Sequence, residues 1–257
     1  HTAIHSFPTR RSSDLLLVAR YGYREEDVTV LVDGQATRQA ILDAYRRVLV
    51  EPAAPGDLGV FYYAGHGSQV RNPRSPERDQ LDETIVPADG EDIRDVELGR
   101  LAEEAAGKGL RLTVVLDSCH SGSATRGLTP SALARAARPD PGRSVPDDGP
   151  RPEPAKVGVL VLAAARPEQL AGEARRGGRP HGAFTAALLE TLTSSGDGAS
   201  AEAIFLRTHA LLKAVRPGQD PVMDARPELR AAPPFSPSLR GAAGRPLVAV
   251  GAVRGAE

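Results

Sequence analysis

The chain has one cysteine, one methionine and no tryptophan, and only 4% of its residues are aromatic. A single cysteine excludes an internal disulfide and any metal cluster built from cysteine ligands. Such a residue is usually a small core side chain, so a reactive role has to be argued from its neighbours. No apolar run approaches the roughly 18 residues that a membrane-spanning helix requires, so no membrane partner is expected. Neither sign of charge prevails: 32 basic residues stand against 33 acidic ones, for a net charge of −1. Nothing in that balance points to nucleic acid as a partner. Lysine is scarce while Ala, Arg, Gly and Pro abound, as a GC-rich bacterial gene would give, and a cytoplasmic protein is the expectation.

What is present suits one α/β domain with appendages, since 257 residues can bury a sizeable core. Residues 1–15, HTAIHSFPTRRSSDL, lack periodicity. They resemble the conceptual translation of a sequencing adapter, whose tail CGC TCT TCC GAT CT reads Arg11-Ser-Ser-Asp-Leu15. They are set aside from fold reasoning, with the expectation that the natural start is missing. The domain is read over 16–230. Residues 231–257, rich in Pro, Gly and Ala, read as a flexible tail or linker toward a fused C-terminal domain.

Within the domain, Leu15 to Arg20 reads as the tail of a helix that ends near Gly22. Val28 to Val32 is a β-branched run closed by Asp33-Gly34, hence a strand. Thr37 caps a helix running to about Val50, with Ile41, Ala44, Tyr45 and Val48 on one face. Leu58–Tyr63, Leu112–Leu116 and Val157–Ala164 are continuous apolar runs, as expected for strands buried on both faces. Glu97–Ala106, Phe184–Leu192 and Ala201–Val215 read as helices, and 71–95 as an acidic loop. Residues 124–156 hold seven prolines and no apolar period, so they read as a linker loop inside the domain. Alternating strands and helices predict a mostly parallel sheet covered on both faces. Ligands of such sheets bind at the carboxyl ends of the strands.

Two strand ends share one grammar. FYYAGHG places His66 between Gly65 and Gly67, and LTVVLDSCHSG places Cys119 just before Gly122. A thiol with a pKa of about 8.5 needs a nearby base to become a nucleophile. Histidine can take that proton and later give it to a leaving amine. The glycines leave backbone room for a substrate, and the N–H groups of such turns can stabilise an oxyanion. Both residues are expected on the same edge of one sheet.

The ordered set A-G-H-G, Asp79-x-x-Asp82-Glu83-x-Ile85-x-Pro87-x-Asp89, Ile93-x-Asp95-x-Glu97-Leu98, D-S-C-H-S-G, Val161 to Ala165, Gln169-x-Ala-x-Glu173 and Gly182-Ala-Phe-Thr185 resembles the caspase-like cysteine peptidases. It is most similar to their metacaspase and bacterial caspase-like branch. That resemblance implies a three-layer α/β sandwich, here with its first strand missing, and hydrolysis of protein or peptide substrates. It also implies Cys119 as nucleophile, His66 as general acid/base, and an oxyanion hole from the N–H groups of Gly67 and Cys119. Asp117 matches the acid that binds a basic side chain on the carbonyl side of the scissile bond (P1). Ala64 stands where a pocket serine is frequent. A carboxylate near the nucleophile suits Arg or Lys and repels Asp. True caspases carry Gln-Ala-Cys-Arg-Gly at this point, and this chain does not.

The segment 77–104 holds eleven carboxylates against three arginines. A solvated face is the simple reading. The resemblance instead implies oxygen ligands for an activating Ca²⁺ at Asp79, Asp82 and Asp95, with Val96 where a second Asp is common. No cofactor is required by the chemistry. The arginines at 126, 135, 138 and 143 make self-cleavage an expectation to test. His120, His181 and His209 carry no motif and are read as structural. Two other classes compete: an inactive caspase-like scaffold, and an unrelated nucleotide-binding domain, for which no phosphate-binding glycine loop follows any strand.

Overall fold

The computed structural model describes residues 16–73, 80–118, 140–144, 152–166, 169–176, 179–236 and 246–252. Helix α1 spans 16–21 and stops at Gly22, whose φ of +74° is the left-handed conformation that ends helices. Then come β1 (Val28–Val32) and α2 (Arg38–Tyr45), which widens into a π-turn over Arg46–Val50. Thr37 caps α2 as its sequence position predicts, Oγ1 accepting from the Ala40 N–H at 3.3 Å. Strands β2 (Leu58–Ala64), β3 (His66–Arg71), β4 (Leu81–Val86) and β5 (Ile93–Arg94) precede α3 (Asp95–Gly107). Next are β6 (Arg111–Asp117), β7 (Asp140–Ser144), α4 (Pro154–Val157) and β8 (Val159–Ala163). The hairpin β9 (Glu173–Arg176) and β10 (Arg179–Gly182) leads into α5 (Ala183–Ser194) and α6 (Ala201–Val215). The series closes with β11 (Val222–Asp224), α7 (Pro227–Ala231) and β12 (Pro246–Ala252).

The main sheet runs β1-β12-β2-β6-β8-β11. All its pairings are parallel except that of β11 with β8. Side chains leave β2 alternately toward two cores. Val60 and Tyr62 join Val115, Leu160, Phe184, Leu188 and Leu212, under α1, α5 and α6. Phe61 and Tyr63 join Leu112, Val114, Ile41, Tyr45, Leu49 and Leu101, under α2 and α3. Burying each large side chain contributes about 1.5–3 kcal/mol, and sheet and helices are locked as three layers. A second sheet, β5-β4-β3-β7, begins where β2 ends. Gly109 closes α3 at φ +92°, and a Cβ there would lie 2.7 Å from the Pro55 backbone.

Three parts of the sequence reading change. Residues 71–95 are not a plain loop, because they carry β4 and β5. The strand LDETIV hides behind its acids, since Asp82 is buried beside Asn72 and Arg94 rather than solvated. The tail reading of 231–257 fails for 246–252, which is an interior strand of the main sheet. A PLVAVGA run has the apolar, β-branched character that such a strand needs. Where the sequence led us to expect a missing strand, the sheet is continuous, and the place between β1 and β2 belongs to β12. The proline-rich stretch 124–156 is described only at 140–144, as β7, and at 152–156, where α4 begins.

Val248 pairs with Val28 on one side and Val60 on the other. Proline there removes an N–H from an interior strand and has no solvent to turn to. Val248→Pro is expected to lower the thermal midpoint by at least about 5 °C in calorimetry, from a loss of about 2–4 kcal/mol.

Candidate active site

Strands β2 and β6 are neighbours, parallel, and in register from Leu58↔Arg111 to Ala64↔Asp117. The Gly65 N–H donates to the Asp117 carbonyl at 3.3 Å, so the pairing persists to the last residue of β6. His66 lies two residues past Ala64 in the chain, and Cys119 two residues past Asp117. The two motifs thus leave the same edge of one sheet from adjacent strands at one level. Cys119 and His120 lie outside the described residues. Ser118, fully buried, is the last described residue before them.

His66 does not trail off a strand as the sequence suggests; it opens β3, opposite Val86 of β4. Gly67 is buried and stands opposite Ile85. The imidazole is half-buried and its Nδ1 is enclosed, with no hydrogen-bond partner among the described residues. Its main chain is held instead. The hydroxyl of Tyr63, a fully buried residue, lies 2.9 Å from the His66 carbonyl and 2.8 Å from that of Val86, donating to this pair.

Asp117 is fully buried. Its Oδ2 accepts from the Thr185 N–H at 3.2 Å and from the Thr185 hydroxyl at 2.5 Å. Thr185 Oγ1 is in turn 2.8 Å from the Tyr62 hydroxyl. Thr185 lies in the first turn of α5, so the carboxylate caps that helix from a distant strand, at its positive end. Gly182, just before α5, is required for this approach: a Cβ there would meet Asp117 Oδ2 at 1.9 Å. Ala64, half-buried, packs against the core under α5.

The acidic segment separates into engaged groups. Asp82, with no exposed surface, accepts from the Asn72 amide at 2.9 Å and has the Arg94 guanidinium 3.6 Å away. Asp95 accepts from the Val96 N–H at 2.8 Å. Asp79 lies outside the described residues. Among the described residues, no three His, Cys, Asp or Glu side chains gather to hold a metal ion. The Asp82 carboxylate thus already carries an amide donor and a neighbouring cation. Glu97 bridges the two helices: it accepts from the Arg94 N–H at 3.1 Å and pairs with Arg38 of α2. Burial alone would raise its pKa, but the Arg38 and Arg94 hydrogen bonds and charges outweigh that and hold it below the usual value.

Elsewhere, His209 stands on α6 with its Nε2 3.6 Å from Asp220, which also pairs with Lys213 at 2.6 Å. The Asp220 carboxyl is held down to about 2, chiefly by the Lys213 and Gln169 hydrogen bonds. Sequence reasoning missed Tyr63, counted there only as part of an apolar run, and Thr185, noted only within a motif. A buried hydroxyl usually has a partner, and that was the available signal for both.

The profile of the caspase domain, a C14 peptidase family, matches residues 14–233. Metacaspase-1 of Schizosaccharomyces pombe is 41% identical over 122 residues, covering 44% of this chain and 28% of that protein. Metacaspase-7 of Arabidopsis thaliana is 40% identical over 117 residues, 41% of this chain and 27% of that one. The matches therefore span under a third of these curated relatives. In fold, the crystal structure of protein GSU0716 from Geobacter sulfurreducens is similar, with a TM-score of 0.61 at 22% identity, covering 89% of this chain and 88% of that one.

Two outcomes follow from the site's polar contacts. Thr185→Val keeps the shape but strips a donor from Asp117 and a partner from Tyr62; a loss of about 1–3 kcal/mol is expected in urea titration. Because folding lowers the Glu97 pKa below its ordinary value of 4.5, its contribution is present above that pH and lost as pH falls through the folded value. The gap in thermal midpoint between wild type and Glu97→Gln is expected to be widest at neutral pH and to close in acid.

Proposed function

Because the chain belongs to the caspase-domain family of cysteine peptidases, we propose that it is an endopeptidase cleaving after arginine or lysine with His66 and Cys119. The observation that carries this reading is the register Ala64↔Asp117, which brings two motif-bearing strand ends side by side.

His66 accepts the Cys119 thiol proton, and the thiolate attacks the scissile carbonyl carbon. The N–H groups of Gly67 and Cys119 receive the oxyanion. The tetrahedral intermediate collapses with cleavage of the C–N bond, and the imidazolium gives its proton to the departing amine. Water then attacks the thioester while His66 takes its proton. Cleavage of the C–S bond then expels the Cys119 thiolate, which takes the imidazolium proton as the acid leaves, restoring the starting pair.

Asp117 supplies the charge that selects a basic side chain at P1. Its Oδ2 already accepts two bonds from Thr185. A two-armed fork with a guanidinium is therefore not available, and recognition rests on charge more than on planar geometry. The preference for Arg over Lys is accordingly expected to stay within about tenfold.

The test compares peptides with Arg, Lys or Asp before the scissile bond, with and without calcium or a chelator, using Cys119→Ala as control. Arg and Lys substrates are expected to turn over at least about 100-fold faster than Asp, and Cys119→Ala to lose about 10³-fold or more. Activity is expected to persist in chelator. Faster cleavage after Asp would overturn the specificity. Full activity in Cys119→Ala would overturn the mechanism. A folded wild type that neither cleaves nor reacts with a thiol-directed basic peptide would leave the scaffold reading in its place.

A further inference from the structure

A histidine that shuttles protons has to be aimed, usually by a hydrogen bond to its second ring nitrogen. Here Nδ1 of His66 is enclosed and has no hydrogen-bond partner among the described residues, so no carboxylate among them orients the ring. What is held is the main chain of His66. Tyr63, three residues earlier and with no exposed surface, sets its hydroxyl 2.9 Å from the His66 carbonyl and 2.8 Å from the Val86 carbonyl. His66 and Val86 face each other as the first pair of β3 with β4. One hydroxyl thus fastens the end of β2 to the start of β3 and the end of β4. The aromatic ring is itself fixed in the core formed with Phe61, Ile85 and Ile93.

We propose that Tyr63 is the positioning residue of the catalytic pair, aiming His66 through its main chain rather than through its imidazole. Tyr63 touches neither substrate nor the reacting atoms; it sets where the His66 Cα begins its side chain. Gly65 and Gly67 bring no side chains to brace that backbone, and a small rotation at the Cα displaces the ring nitrogens by a larger distance. The hydroxyl adds a side-chain tie to the main-chain pairing at that point.

This inference rests on His66 and Cys119 forming the pair proposed above. The experiment uses Tyr63→Phe, which keeps the ring and removes one oxygen. Because Cys119 is the only cysteine in the chain, its alkylation by iodoacetamide reports on that thiol alone. The rate is measured against pH, together with kcat and KM on an Arg-containing peptide. Tyr63→Phe is expected to lower kcat about tenfold, to leave KM within about twofold, and to move the alkylation midpoint up toward the free-thiol value of about 8.5. Tyr45→Phe, which also loses a buried hydroxyl but one without a hydrogen-bond partner among the described residues, should change none of these.

A Tyr63→Phe protein with normal kcat and a normal alkylation profile, whatever its melting point, would reduce Tyr63 to a core residue and overturn the proposal. If that variant does not fold, the unaltered protein decides the matter by NMR. A slowly exchanging Tyr63 hydroxyl proton with a cross-peak to His66 supports the tether, and its absence overturns it. His66→Ala is run alongside. If it stays active with an unchanged thiol profile, the catalytic pair itself fails. If it is inactive while Tyr63→Phe is normal, only the positioning role fails.

Discussion

The parallel pairing of β2 with β6 is the constraint from which the rest of the site follows. Its register is held from both faces. Val60 and Tyr62 belong to the core under α5 and α6, while Phe61 and Tyr63 belong to the core under α2 and α3. A slip by one residue would exchange these sets and push every side chain into the wrong layer. Two dense apolar cores therefore determine that Ala64 lies opposite Asp117. The position of the chemistry follows from packing several residues away from it.

At the edge where these strands end, apolar packing gives way to a small number of buried polar ties, each reaching across the chain. Asp117 is joined to α5 through Thr185, and His66 to β4 through Tyr63. Gln219 does the same for the segment after β8: its amide donates to the Ala164 carbonyl at 2.8 Å and its Oε1 accepts from the Gly172 N–H at 3.0 Å. In a low-dielectric setting such bonds are strong when made and costly when broken, so they rigidify the ends of strands that would otherwise fray. Side chains that are individually unremarkable for catalysis thereby give the edge a single geometry.

The sequence made the framework legible because its strands are uninterrupted apolar runs and its helices announce their caps; Leu58 to Ala64 and Thr37 are examples. The glycine-flanked His66 was legible for a similar reason, since glycine on both sides of a titratable residue at a strand end has little structural use. The hairpin of β4 and β5 was not, because a buried Asp82 satisfied by Asn72 and Arg94 looks, in one dimension, like a solvated acid. Thr185 and Gly182 owe their importance to a carboxylate 68 residues earlier in the case of Thr185, and no local pattern reports such a contact. β12 escaped notice because its short apolar run sits in a segment whose composition otherwise reads as linker.

The placement of β12 also bears on time. β1 and β2 are close in sequence, yet the strand between them is Pro246–Ala252, encountered only after every other element of the sheet. During synthesis the nascent chain can therefore form its hairpins and helices early but cannot join the two halves of its main sheet until that late segment emerges. Pairings of such long sequence separation are the slow part of folding. Until they form, β1 and β2 each present an open edge to other chains. The β2–β6 pairing that carries the catalytic edge does not wait for this strand, so β1 is joined to the sheet only after that edge can already have formed.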